Sequence, residues 1–287
     1  MEKVVRVSKK YKLAGWDFHP QKTVIQLDDV RIGGDELTII AGPCSVESAE
    51  QTLEAARAVK AAGAKLLRGG AYKPRTSPYE FRGLGVQGLE ILAQARAETG
   101  LKIITEVMTP GDVETVGTYT DIFQIGARNC QNYLLLEEVG KAGKPVMIKR
   151  GLSVLIEEWL LAAEYVMAQG NPNVILCERG IRTYETATRN TLDVSAVPVL
   201  QSMSHLPVFI DPSHAAGKRA FVPALARAAV AAGADGLMIE VHPTPDLAMS
   251  DGAQSLDVAE FDALMPQLAA IAAAVGRTLP LPAGATV

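Results

Sequence analysis

Only three cysteines occur among the 287 residues, Cys44, Cys130 and Cys177, and no two stand in a CxxC spacing. An odd, scattered set excludes a disulfide framework, fits a reducing compartment and leaves each thiol to be explained singly. No stretch approaches the roughly 20 consecutive apolar residues of a membrane span. The basic start, MEKVVRVSKKYKLAG, has no apolar core ahead of a small-residue cleavage site, so neither anchor nor leader is expected and the protein reads as cytoplasmic. Positive charge is not in excess either. The formal net charge is −4 and the cations form neither a run nor a helical stripe, which gives no reason to expect nucleic acid as a partner. No linker, repeat or low-complexity tract divides the chain, and no GxGxxG turn follows the first strand candidate, where the sequence reads IIAGPCSVES. That absence tells against the rival architecture, an open doubly wound sheet.

What is present is a steady alternation of short and long apolar segments. Strand candidates cover 37–42, 64–69, 102–107, 122–127, 145–150, 174–179, 207–212 and 236–241. Helix candidates lie between and after them at 49–63, 85–100, 109–119, 132–143, 154–170, 219–233 and 257–276, with a weaker one around 188–197. Their apolar residues recur every three to four positions, and several end in Gly. Eight near-continuously apolar strands, each followed by a crossover helix, predict an α/β fold of the (β/α)8 TIM-barrel type. The segment TVIQLDDVRIGGDE (23–36) resembles a small β-hairpin that could plug the bottom of the barrel. The expected division is therefore an N-terminal extension over 1–36, too short for its own core, and a catalytic barrel over 37–280.

Barrel active sites are built at the C-terminal ends of the strands. In order, these ends carry Cys44, Arg68, Glu106, Arg128, Lys149, Arg179, the pair Asp211 and His214, and Glu240. A strand-end cation is commonly just solvated, but a polar group at every end of one rim points to a site. In LRGGAYKPRTSPYEFRG, Arg68, Lys73, Arg75 and Arg82 face only Glu80 as an offset. Such a cluster repels itself unless an anion sits within it. With Arg128, Lys149 and Arg179 converging from other strands, the expected ligand has several anionic groups, at least one a phosphate. A second set, Cys44, His214, Glu240 and Asp251, matches no local zinc spacing. On a closed barrel, however, its first three members follow neighbouring strands, and a thiolate, an imidazole and two carboxylates would suit Mn²⁺, Fe²⁺, Co²⁺ or Zn²⁺. Cys130 and Cys177 read as packing thiols, and Trp159 as a helix-face residue.

The motifs AGPCSVES, LRGGAYKPRTSPYEFRGLG, QIGARNCQN, MIKRG, CERGIRTYE, DPSHAAGKR and IEVHPTPDLAMSDGAQSL, in this order from Thr38 to Leu256, are similar to those of the 3-deoxy-D-arabino-heptulosonate-7-phosphate (DAHP) synthases, in the branch close to the KDO8P synthases. The resemblance implies a metal-dependent condensation of phosphoenolpyruvate with D-erythrose 4-phosphate at the head of the shikimate pathway. It implies one divalent ion, Mn²⁺ before Fe²⁺, Co²⁺ or Zn²⁺, on Cys44, His214, Glu240 and Asp251. It places Arg68, Lys73 and Lys149 at the phosphoenolpyruvate carboxylate, Arg128, Arg179 and the backbone of Ala127 at its phosphate, and Arg75, Thr76 and Ser77 at the aldose phosphate. Lys73, Glu106 and His214 fall on positions closest to the chemistry.

Two alternatives stand beside this reading. A KDO8P synthase would take arabinose 5-phosphate, but its second-substrate loop typically runs KANRTS, whereas KPRTS here has a stiffening Pro74 and no Asn. A Schiff-base aldolase would use Lys149. The resemblance also implies a homotetramer, or a dimer. With about 36 residues before the first barrel strand, no built-in feedback domain for Phe or Tyr is expected.

Overall fold

The computed structural model describes residues 8–75 and 77–282. The first paired strands, β1 (Ile25–Leu27) and β2 (Val30–Ile32), form an antiparallel hairpin in which Ile25 faces Ile32. Eight parallel strands follow: β3 (Thr38–Gly42), β4 (Leu66–Arg68), β5 (Lys102–Glu106), β6 (Ile122–Ile125), β7 (Val146–Lys149), β8 (Val174–Glu178), β9 (Val208–Ile210) and β10 (Gly236–Glu240). They close into a barrel, because β10 pairs with β9 on one side and with β3 on the other. Both faces of such strands are covered, by helices outside and by each other inside, which explains their unbroken apolar character.

The helices are α1 (Ala49–Ala61), α2 (Val86–Thr99), α3 (Val113–Tyr119), α4 (Tyr133–Lys141), α5 (Ile156–Met167), α6 (Ala196–Met203), α7 (Pro212–Ala216), α8 (Val222–Ala231) and α9 (Val258–Ala274). Their ends follow sequence chemistry. Ser48 caps α1 by accepting from the backbone N–H of Gln51, and Asp257 and Glu260 form a capping box at the start of α9. One expectation is corrected. The weak helix around 188–197 is not there; the helix begins at Ala196, and 181–195 is a loop. Threonine and acidic side chains in that loop bond locally instead: Thr183 Oγ1 meets Thr191 Oγ1 at 2.6 Å, and Glu185 Oε1 accepts from the N–H groups of Thr186 and Ala187, both at 2.7 Å. Such local partners compete with the helical ladder.

The hairpin does plug the barrel. Ile25, Val30 and Ile32 join one apolar cluster with Ile40, Leu66, Ile104, Ile122, Met147, Ile175, Phe209 and Met238. Asp28 at the hairpin turn pairs with Lys102, the first residue of β5, and Thr38 at the start of β3 donates to the carbonyl of Arg31. The plug therefore closes the end where strands begin. Ile32 is fully buried, so Ile32→Ala should cost about 2–5 kcal/mol in urea unfolding; a loss below about 1 kcal/mol would mean the hairpin does not seal the core.

Candidate active site

Inside a strand every second residue points the same way, and this period lays out the site. Two positions beyond an inward apolar residue stands an inward polar one: Arg68 after Leu66, Glu106 after Ile104, Gln124 after Ile122, Lys149 after Met147, Arg179 after Cys177, Asp211 after Phe209 and Glu240 after Met238. All seven of these polar side chains are buried. Charged groups at that depth need partners, and they find them across the barrel. Lys149 Nζ donates to Asp211 Oδ2 at 2.5 Å, and Arg68 Nη2 lies 2.9 Å from Glu240 Oε1. Asp211 also caps α7, accepting from the N–H of His214 at 3.0 Å. Burial works against its charge, yet His214 and Lys149 hold its carboxyl well below the usual range.

Cys44, His214, Glu240 and Asp251 are brought together, each offering a ligand atom within 4.8 Å of the others. Cys44 Sγ is 3.2 Å from Asp251 Oδ2, and His214 Nε2 is 3.5 Å from Glu240 Oε1 and 3.9 Å from Asp251 Oδ2. Nδ1 of His214 faces Asp211 Oδ2 at 2.7 Å, off the hydrogen-bond line. The donors suit a divalent ion. Burial lowers the imidazole to about 4, and Asp251 is held below the usual carboxylate range against burial, by the charge of His214 when that ring is protonated and by Arg189. Glu240 Oε1 is buried without a hydrogen bond although Arg68 is near. Burial, with the Glu240 charge adding to it, pushes the Cys44 thiol up to about 12, so an ion bound there would displace its proton.

Beside this cluster opens a cavity of about 210 Å³. Arg68, Lys73, Arg75, Arg128, Lys149, Arg179 and Arg189 line it, against Glu80, Glu106 and Asp251. Three guanidinium nitrogens, Arg68 Nη1, Arg75 Nη2 and Arg179 Nη1, are buried with no hydrogen-bond partner among the described residues. Orphaned buried donors cost roughly 1–3 kcal/mol each, and a ligand that accepts from them resolves the deficit. Lys73 Nζ gives one proton to Cys44 O at 3.1 Å and one to Cys44 Sγ at 3.0 Å. Its third can serve a ligand. Glu106 accepts from Gln124 at 3.4 Å and lies over Gly126, where a Cβ would stand 2.0 Å from Glu106 Oε1. A side chain at that position would push the carboxylate aside.

The cavity thus gathers the sequence candidates Arg68, Lys73, Arg75, Glu106, Ala127, Arg128, Lys149, Arg179, His214 and Asp251, while Cys44 and Glu240 sit behind it. Ser77 does not line it, and its hydroxyl accepts from Tyr79 N at 3.4 Å; Thr76 lies outside the described residues. Cys130 and Cys177 are buried packing thiols as expected, and Trp159 is fully buried with its indole N–H on Ile148 O.

Arg189 was not foreseen. Its Nη1 donates to Gln254 Oε1 at 2.7 Å and to Asp251 Oδ1 at 3.2 Å, and Gln254 Nε2 in turn donates to Glu240 Oε2 at 2.5 Å. Its side chain occupies the space beside Gly217, where a Cβ would meet Arg189 Cβ at 2.3 Å. One guanidinium thereby braces two carboxylates of the cluster. Asp251 needs such bracing, since its backbone is left-handed with φ 54°.

A family model described as the DAHP synthetase I family matches residues 19–275. The chain is 54% identical over 276 residues to a phospho-2-dehydro-3-deoxyheptonate aldolase of Thermotoga maritima, spanning 96% of this chain and 82% of that relative. It is 37% identical over 268 residues to a 2-dehydro-3-deoxyphosphooctonate aldolase of Bradyrhizobium diazoefficiens, spanning 86% and 94%. The crystal structure of the Thermotoga maritima phospho-2-dehydro-3-deoxyheptonate aldolase (DAHP synthase) superposes with a TM-score of 0.93 at 53% identity, covering 97% of this chain and 82% of that one. A truncated form of the 3-deoxy-D-arabino-heptulosonate 7-phosphate synthase from the same organism gives 0.88 at 50%, covering 93% and 98%.

Replacing Arg189 by Met should weaken Mn²⁺ binding about 10- to 100-fold, the usual cost of removing a group that orients metal ligands. Titration followed by the Mn²⁺ electron paramagnetic resonance signal reads this directly. An unchanged affinity would show that the bracing is incidental.

Proposed function

The chain belongs to the DAHP synthetase I family, and we propose that it condenses phosphoenolpyruvate with D-erythrose 4-phosphate to give DAHP and phosphate, the first step of the shikimate pathway. The observation that carries this reading is the set of buried, unpartnered guanidinium nitrogens on Arg68, Arg75 and Arg179 around one cavity beside a Cys, His, Glu and Asp cluster. Two phosphates and a carboxylate are what those donors lack. In this reading Arg68, Lys73 and Lys149 hold the phosphoenolpyruvate carboxylate, and Arg128, Arg179 and the backbone of Ala127 hold its phosphate. Arg75, with Thr76 and Ser77, holds the aldose phosphate. Residues 37–280 supply all of these groups, with the hairpin as an appendage.

Cys44, His214, Glu240 and Asp251 would hold one divalent ion, Mn²⁺ in the reading favoured here, which when bound supplies Lewis-acid polarisation of the aldehyde. The protein's own residues do the rest. The cations fix the two substrates so that carbon 3 of phosphoenolpyruvate meets the aldehyde carbon, which is catalysis by positioning. A carbon–carbon bond forms, water adds at carbon 2, and the carbon–oxygen bond to phosphate breaks. Guanidinium groups aimed at the phosphate oxygens stabilise the departing charge. Lys73, tied to Cys44 by two of its protons, and Glu106, at the end of the neighbouring strand, handle protons and water near the reacting carbons in this reading.

The KDO8P reading is not favoured, since the phosphooctonate aldolase relatives are more distant and Pro74 stands in the aldose loop. A Schiff base at Lys149 needs an uncharged amine. Lys149 sits in a buried ion pair with Asp211 that neutralising one side would leave unbalanced. Among the described residues no helix is long and apolar enough to cross a membrane, and the reading places the enzyme in the cytoplasm as a homotetramer.

Chelator-stripped protein should release no phosphate, and Mn²⁺ should restore release with erythrose 4-phosphate but not with arabinose 5-phosphate. His214→Ala should abolish it. Preference for the five-carbon sugar, or full turnover after chelation, would refute the assignment.

A further inference from the structure

Arg128 and Arg179 face two cavities, not one. A second, of about 430 Å³, adjoins the first and shares both of these arginines and Arg189 with it. Of these two, Arg75 lines the first and Arg182 the second, so the shared arginines stand between ends of different make-up; Arg182 also borders a further opening lined by Glu185. Four arginines line the second cavity and, among the described residues, no carboxylate does. Ser153 and Asn190 add polar groups to its wall.

Backbone bonds hold the loop that carries Arg182. Arg182 N donates to Leu152 O at 2.8 Å, and Ile181 and Thr191 exchange two bonds at 2.9 Å each, which pins the loop on either side. Arg189 is engaged with Asp251 and Gln254. The Arg182 guanidinium has no partner among the described residues, and Arg179 Nη1 is buried without one. The Arg182 guanidinium and the orphaned Arg179 nitrogen are donors that a compact oxyanion with several acceptor oxygens satisfies, and the guanidinium fork matches its geometry.

We propose that this second cavity is a subsite for inorganic phosphate, through which the phosphate freed at Arg128 and Arg179 leaves while the sugar-acid product still fills the first cavity. The inference rests on the proposed reaction for the origin of the phosphate, though not for the existence of the subsite. Its physical content is a relay: two arginines hold the ester phosphate, and Arg182 takes up the free ion beyond them. Release then does not wait for the bulkier product to clear the mouth.

Equilibrium dialysis with radiolabelled inorganic phosphate tests this on the whole protein saturated with phosphoenolpyruvate and given no aldose. Wild type should retain bound phosphate that phosphoenolpyruvate does not displace. Arg182→Gln should weaken that binding about tenfold, as expected for loss of one charge-assisted contact at a partly exposed site, and Arg182→Lys should restore much of it. Phosphoenolpyruvate affinity should stay within about twofold in both variants. Superimposable phosphate isotherms for wild type and Arg182→Gln would overturn the subsite, as would a matching loss of phosphoenolpyruvate affinity, which would place Arg182 in the substrate cradle instead. Failure of wild type to bind phosphoenolpyruvate at all would overturn the reaction reading, with the phosphate isotherms still deciding the subsite.

Discussion

Asp211 is a carboxylate with no exposed surface, and the functional end of the barrel is arranged around it. One oxygen caps the short helix that carries His214; the other meets Lys149 Nζ and the His214 ring. The group that faces the imidazole of the Cys, His, Glu and Asp cluster is thus the group that pairs with a lysine of the anion cavity. A second tie of the same kind runs from Arg68 to Glu240. Buried ion pairs are poor sources of net stability, and breaking one by removing a partner is costly. Their value here is positional. Neither half of the site can shift without exposing the other half to an unbalanced charge.

The two halves differ in what they still need. The cluster of Cys44, His214, Glu240 and Asp251 carries excess negative charge once the thiol is ionised, and the thiol is held protonated by burial until a cation replaces its proton. The cavity carries excess positive charge, seven cationic residues against three acidic ones. A divalent ion and a phosphorylated acid would satisfy both deficits side by side. Arg189 spans them, lining the cavity while bracing Asp251 and Gln254.

Much of this was legible in the sequence because a closed barrel turns linear order into circular order. Cys44, His214 and Glu240 are far apart in the chain, yet they follow barrel strands that the sheet makes neighbours. The period of two within each strand then places Arg68, Glu106, Lys149 and Arg179 on the inside. Loop residues obey no such rule. Arg189 lies in a loop that the pattern presented as weakly helical, and only the fold shows that its guanidinium reaches the carboxylates. Gly126 is chemically silent until Glu106 is seen to occupy the place of its Cβ. Ser77, two residues after Arg75, illustrates the converse: proximity in sequence did not bring it to the cavity wall.

The central claim is that metal cluster and anion cavity form one site. Crystals grown with Mn²⁺ and phosphoenolpyruvate, measured at a wavelength where manganese scatters anomalously, test it most directly. The account predicts a single ion bonded to Cys44, His214, Glu240 and Asp251, with the ester phosphate on Arg128 and Arg179 and the carboxylate toward Arg68 and Lys149. An ion bound elsewhere, or phosphoenolpyruvate seated away from those arginines, would contradict it.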